Sequence, residues 1–590
     1  MQSVKRFLPV LCLFSWLIAF DTFAGSAVWN LDPTNGDWNT AANWTPETVP
    51  NSETDIASFG QSDVTDISVP SIELDSVMFG ADASPFTFTV YNPTDVAYLI
   101  FWGAGVINNS PVEQTFIDLT SPFSSSIQFR NNATAGDRVT YYSSAGGNAI
   151  FFFNSSNAGT ATFIVNTSLD FYGAGAETPS AANATIINDR GDTYFSYGGT
   201  AANAVITNQH GGQTDVGFGG DAGNATITNE GTMGADGWQS HTYIGGSAGT
   251  ATITNNPATV EGEKGGYTSY GTTNLSDSPT IISNGSSFAD PASAGITFVT
   301  GSTGNAILIA HGGTNGGAGG QIVFKGYPGD GDTTRIIMDG NALLDISLHS
   351  PPELNIGSLE GDGEVYVGAN NLTIGANNLS TEFGGQIQDG GRHNLPGGSI
   401  TKTGSGTLTL SGASTYTGGT SVNAGVVLVN SMVGSGTGTG TVQVNAGTLG
   451  GVGTIFGPVT IGMGSGGGAI LQPGFGHNKP VVLTLQSALT FKSDSTYTVN
   501  LNTRKPRTDM VVANGVTIEP GAQFNLNSIG DGKLHLGRIL KVLSNNLFRT
   551  AISGSFANLI DGSTVTVGMN KFQVSYEGGD GNDLTLKVVP

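Results

Sequence analysis

Side chains able to do chemistry are sparse in this chain. Acids cluster at Asp330 and Asp332 and again at Glu360, Asp362 and Glu364. Carboxylate oxygens grouped in this way can hold Ca²⁺, but loop acids in a chain of formal net charge −24 are expected to be solvated. Arg335 lies close to Asp330 and Asp332. It is the best placed residue for lyase chemistry, which needs acids on calcium and an Arg or Lys to take a proton. A glycosidase of the inverting kind would need paired carboxylates across a groove. The seven histidines, His210, His241, His311, His349, His393, His477 and His535, form no H-E-x-x-H or other ligand spacing. No G-x-S-x-G elbow is expected on a strand-to-helix turn, because no helix is expected.

Three short motifs remain. Gly578-Gly579-Asp580-Gly581-Asn582-Asp583-Leu584-Thr585-Leu586 fits the calcium-binding nonapeptide G-G-x-G-x-D-x-U-x. Such sites form between tandem copies and one copy stands here, so a Gly-rich hairpin before the last strand is expected instead. Arg190-Gly191-Asp192 spells a cell-adhesion tripeptide beside an expected turn. Arg504-Lys505-Pro506-Arg507 is the basic cluster, expected as a solvated loop, with attachment to an anionic surface glycan as the lesser alternative. No residue is therefore assigned a catalytic, cofactor-binding or metal role, and no cofactor is expected.

The elements that would position these groups follow from composition and repetition. Of 590 residues 89 are Gly, and only 11% are charged; that Gly share is roughly twice the usual one. Helical bundles need Ala, Leu, Glu and Lys rather than Gly, Thr, Asn and Val. Nucleic-acid binding needs basic surface to neutralise phosphates, and none is present. Residues 1–24 read as a secretory signal: Lys5 and Arg6, an apolar run from Phe7 to Phe20, then small residues at Thr22 and Ala24 before the expected cleavage. An uncleaved anchor is the alternative. Cys12 is the one cysteine and lies inside this segment, so the mature chain offers no disulfide or thiolate.

One phrase recurs: Ala182-Asn183-Ala184-Thr185-Ile186-Ile187-Asn188, Ala202-Asn203-Ala204-Val205-Ile206-Thr207-Asn208, Gly223-Asn224-Ala225-Thr226-Ile227-Thr228-Asn229 and Gly249-Thr250-Ala251-Thr252-Ile253-Thr254-Asn255, at steps of 20, 21 and 26 residues. A short strand with Ile inward and Thr outward buries one face. Asn or Gly then turns the chain. Two further short strands would bring it back above its start, so that rungs stack about 4.8 Å apart as parallel strands. The spacing predicts an inner stack of Ile186, Ile206, Ile227 and Ile253. It also predicts an outer or turn-lining ladder of Asn188, Asn208, Asn229 and Asn255. No rung can bury its face alone. Propeller blades need about 40 to 50 residues, so a solenoid of roughly twenty rungs, on the order of 90–100 Å long, fits better. Trp29, Trp38 and Trp44 are expected to cap its open end, with a carbohydrate platform as the alternative.

From about Gly357 the chain resembles a known family. Gly357-Ser358-Leu359-Glu360-Gly361-Asp362-Gly363 and Asn371-Leu372-Thr373-Ile374-Gly375 precede Thr401-Lys402-Thr403-Gly404-Ser405-Gly406-Thr407-Leu408-Thr409-Leu410-Ser411-Gly412. Ser414-Thr415-Tyr416-Thr417-Gly418-Gly419-Thr420-Ser421-Val422-Asn423-Ala424-Gly425 follows, with a weaker echo at Val444–Gly451 and an L-x-P-G step at Leu471-Gln472-Pro473-Gly474. This is similar to the autotransporter-associated β-strand repeat of bacterial passenger domains. The resemblance implies a right-handed parallel β-helix, passage through the cell envelope, and help from the repeat in folding during export. Such proteins usually end in a membrane barrel of alternating strands. Nothing after residue 480 has that pattern and the sequence ends in Lys587-Val588-Val589-Pro590, so a separate outer-membrane barrel or another secretion system is expected as the export partner.

The expected organisation is a signal at 1–24, an N-terminal Trp-rich cap and first strands at 25–130, a β-helix of 20–28-residue repeats at 131–345, the passenger-type repeat region at 346–480, and a C-terminal β cap at 481–590. The expected function is that of an exported, non-catalytic, structural or adhesive rod at the cell surface or released from it, with a surface glycan or matrix ligand as its partner. A polysaccharide-acting enzyme on the same scaffold is the rival. It would gather three or more acids and a base in one lateral groove, where a structural rod would scatter them.

Overall fold

The computed structural model describes residues 25–119, 123–144, 149–232, 237–272, 274–326, 331–350 and 352–590, the side chain of Asp332 aside. The signal read at 1–24, Asp330, and the start of the loose repeat copy at Gly147-Asn148 lie outside them. Among these residues the secondary structure is β-strand with two short 3₁₀ turns, Ala41–Asn43 and Pro291–Ser293. The strands build a parallel β-solenoid of about 18 turns.

Each turn of the repeat region has a front strand, a corner, a back strand and a tight turn. Ser168–Tyr172 lies on the front and Thr185–Asp189 on the back; Asp192–Ser196 and Val205–Gln209 form the next turn. The front strands join one 17-stranded sheet that runs from Ala27–Trp29 to Gln386–Gln388. On the back, Ile186 pairs with Ile206, Ile206 with Ile227, and Ile227 with Ile253. All four side chains are fully buried, as the spacing predicts.

One feature differs from expectation, and another decides between two alternatives. The third side of each turn is a corner rather than a strand. It contributes single bridges, such as Ser180 to Thr200 and Thr200 to Asp221. Positive φ at Ala182, Ala202, Gly223 and Gly249, two residues after each bridge, takes the chain out of the extended conformation that pairing needs. The Asn ladder, in turn, takes the turn-lining place and not the outer one, and lies deep in the interior. Asn188, Asn208, Asn229 and Asn255 are fully buried at the tight turn. Each Nδ2 donates to the next Oδ1, at 2.7, 2.7 and 2.8 Å. Thr193, Thr214, Thr242 and Thr268 hydroxyls donate to the same oxygens. A buried amide is tolerable only when every donor and acceptor is matched, and the repeat matches them rung by rung.

Near the N-terminus the interior is aromatic. Phe88, Phe116, Tyr141 and Phe163 stack along the back at 4.7, 5.2 and 5.0 Å. Trp29, Trp38 and Trp44 sit beyond them, at most 2% exposed, with Trp44 edge-on to both others at 5.0 and 4.9 Å. Their indole N–H groups donate to the carbonyls of Val64, Pro50 and Trp38. The cluster closes the end of the core and offers no platform to a sugar. At the other end the parallel strands Met510–Ala513 and Ile539–Asn545 give way to antiparallel ones: Ile539–Asn545 pairs with Asp583–Val589, which pairs with Asn570–Gly578. This finishes the stack.

Candidate functional site: a trough along the front face

The groups singled out in the sequence do not converge. Arg335 lies on the outer back face and forms a bidentate pair with Glu360 one turn on, at 2.5 and 2.7 Å. The partner holds the Glu360 carboxyl below its ordinary value and the guanidinium above its own. Asp362 accepts from the Gly340 amide, and Glu364 accepts from the Tyr366 hydroxyl on the front. Three neighbouring acids thus point to three different sides. In the nonapeptide segment, Asp583 is buried, 2.5 Å from Lys541 Nζ, and accepts from Ser544 Oγ and the Asn545 amide. It fastens the hairpin between Asn570–Gly578 and Asp583–Val589 to the preceding strand. Among the described residues no group of three or more His, Cys, Asp or Glu is placed to hold a metal ion. Arg190-Gly191-Asp192 forms the tight turn between the back strand Thr185–Asp189 and the front strand Asp192–Ser196, where a Cβ on Gly191 would lie 2.4 Å from the Val165 carbonyl. Arg504 pairs with Asp531 at an exposed turn.

What the coil does bring together lies on the outer front face, where alternate residues of successive strands form two columns. One column runs Ser168, Asp192, Gln213, His241, Tyr267, Ile296, Gln321. The other runs Asp170, Tyr194, Asp215, Tyr243, Ser269, Phe298, Val323. Three clefts line this face. They share Gln239, and pairs of them share His241 and Phe298, so they form one continuous trough. Trp238, 75% exposed, stands at one end. The His241 and Tyr267 rings lie parallel at 4.6 Å, and Phe298 meets Tyr267 edge-on at 6.0 Å. Beside the trough, Tyr172, Tyr197 and Phe218 make a second exposed aromatic strip, with ring separations of 5.1 and 6.0 Å.

Asp170, Asp192 and Asp215 occupy diagonal positions on three successive front strands. Burial pushes all three carboxyls up. Asp170 reaches about 6, eased by the Ser168 hydroxyl and raised further by the charge of Asp192. Asp192 is eased by Tyr194, Gln213 and His241, and Asp215 by His241. Sequence reasoning missed this cluster, because the three acids belong to no common phrase.

The far wall of the trough is built by a segment distant in sequence. After the front strand Gln386–Gln388, the chain folds back over the front sheet. The amides of Arg392 and His393 donate to Asp345 Oδ2 and Ser347 Oγ, and the Arg392 guanidinium donates to Gln321 Oε1 at 2.8 Å. Val323, next in the column after Phe298, is fully buried.

Immediately above that wall begins the strongest sequence signature. Lys402 on Ser399–Lys402 occupies an inward position, between Ile374 and Val422 on the adjoining turns. It is 1% exposed. Its ammonium donates to the carbonyls of Thr403 and Gly404, and burial brings it down to about 8. Tyr416, fully buried, shares a hydrogen bond with Thr420 Oγ1 at 2.6 Å. Residues 400–429 match the family model described as the Passenger-associated-transport-repeat.

The chain carries a passenger-type transport repeat. In fold it aligns with the crystal structure of the Haemophilus influenzae Hap adhesin, at 12% identity and a TM-score of 0.24, over 91% of this chain and 64% of that one. This passenger-like chain therefore spans 64% of the adhesin's length. No curated protein matches the chain.

Proposed function

We propose that this chain is an exported, surface-displayed β-solenoid that acts by adhesion, holding an extended glycan in the front-face trough without cleaving it. Export is supported by the transport repeat at 400–429, and an outer-membrane translocator barrel is the expected partner. One observation carries the adhesive reading: aromatic side chains recur along one outer face, His241 and Tyr267 on adjoining rungs and Tyr194, Tyr243 and Phe298 on alternate ones, interleaved with amide and hydroxyl groups. Sugar rings have apolar faces and polar rims, and such surfaces offer stacking and hydrogen bonding together. Parallel stacking repeats these contacts about every 4.8 Å, so the face suits a polymer rather than a single small molecule.

Cleavage on the same face is the second reading, and Asp170, Asp192 and Asp215 favour it: with His241 they are the three acids and a base expected of an enzyme, although Asp170 lines none of the three clefts. Three carboxyls lifted by burial beside His241 include groups able to keep a proton in mildly acid conditions, as a general acid must. Electrophoresis through polysaccharide-loaded gels, followed by a reducing-end assay on the same polymers, separates the two. Adhesion predicts retardation with no new chain ends. New ends that vanish in Asp192→Asn would establish the enzyme.

A further inference from the structure

We infer that the C-terminal half of the trough is a site for the anionic group of an acidic polysaccharide, held by Lys325 and Arg392 beside Phe298 and by Lys264 on the lining of the larger cleft. The inference rests on the glycan-binding reading above and names the class of glycan. Cations are scarce here, 21 Lys and Arg against 45 acids in 590 residues, yet three converge on adjoining clefts of one face. The larger cleft encloses ≈ 830 Å³. Lys325 Nζ sits 4.0 Å from the centre of the Phe298 ring, and the Arg392 guanidinium lies 6.0 Å from the same ring. A ring face positions a cation without neutralising it. Lys325 and Lys264 make no ion pair among the described residues.

The two acids of this cleft are already engaged. Asp345 is 1% exposed and accepts from the amides of Ser347 and Arg392, with the Arg392 side chain 3.8 Å away. Asp389 accepts from the Gly398 amide and from the Thr417 amide and hydroxyl. Their charge is turned into the wall, while the ammonium groups keep theirs for a ligand. A carboxylate or sulfate ester on a sugar would take that place, with charge-assisted hydrogen bonds from Lys325 and Lys264 and the sugar rings lying along Tyr267 and Tyr366.

Calorimetric titration of the purified chain tests this. The probes are alginate, alginate with its carboxyls reduced to alcohols, dextran sulfate, dextran and polyglutamate. Binding of alginate or dextran sulfate is expected to exceed that of the neutral counterpart. It should weaken about ten-fold in Lys325→Gln and in Lys264→Gln, as loss of one charge-assisted contact predicts, and recover in Lys325→Arg. Preference between the two anionic polymers assigns carboxylate or sulfate. Equal binding of charged and neutral polymers, or of polyglutamate and alginate, would overturn the anionic-sugar site. Equal binding of charged and neutral polymers would leave glycan adhesion standing. Absence of binding to every polysaccharide would overturn both. Thermal unfolding of the variants, expected unchanged, separates loss of contact from loss of fold.

Discussion

At the scale of single residues, the interior polar groups are the informative ones. The buried Asn side chains form a continuous ladder of amide-to-amide hydrogen bonds, so a leucine at Asn208 would strand the Asn188 and Asn229 groups on either side. Lys402 poses the opposite problem, a charge placed in an aliphatic column with only carbonyls for company. Its folded value, about 8, lies below the ordinary 10.5. Between those values the unfolded chain binds the proton that the folded chain has released, so stability rises with pH across that interval. Below about pH 8 both states are charged and the cost of burial is fully present. Denaturant unfolding from pH 7 to 9, below the range in which buried phenols such as Tyr416 and Tyr497, held above their ordinary value by burial, oppose it, should therefore show a gain that Lys402→Met abolishes. A flat profile for the parent chain would contradict the burial of this ammonium.

At the scale of elements, the coil depends on identical positions meeting in register. Ile227 touches Ile206 below and Ile253 above, with no exposed surface. An aspartate there would bring an unpaired carboxylate into the stack at a cost of more than about 4 kcal/mol. Ile227→Asp should lower the melting temperature sharply in calorimetry, while Thr228→Asp on the outward side of the same strand should not. Equal effects would mean that the strand's faces are wrongly assigned. This much was legible in the sequence, because the phrase around Ile186, Ile206, Ile227 and Ile253 recurs almost letter for letter and period two fixes which side chain goes in. The depth of the Asn ladder was not, since turn chemistry accounts for Asn equally well outside. The trough was also hidden. Asp170, Tyr194, Asp215, Tyr243 and Phe298 share a column only after the turns are aligned, and the wall at Arg392 reaches Gln321 across 71 residues of chain.

At the scale of the whole molecule, geometry and sparse chemistry point the same way. A parallel coil converts a short repeat into a long ruler, with aromatic, amide and acidic groups ruled along one side. The Trp cluster at one end and the antiparallel strands at the other keep the ruler from growing by adding copies edge to edge. Low charge density and a Cys-free body suit a chain that crosses membranes unfolded and collapses outside. On the proposed function, the side chains that face outward along the front determine what the rod holds.

Hydroxyl-radical footprinting of the chain, with and without a polysaccharide that retards it in gels, tests this most directly. Oxidation of Trp238, Tyr243 and Tyr267 should fall when the polymer is bound. Met432 and Phe548, 84% and 78% exposed and outside the trough, should react as before. Protection at Met432 or Phe548 with Trp238 and Tyr243 unchanged would place binding elsewhere and contradict the account.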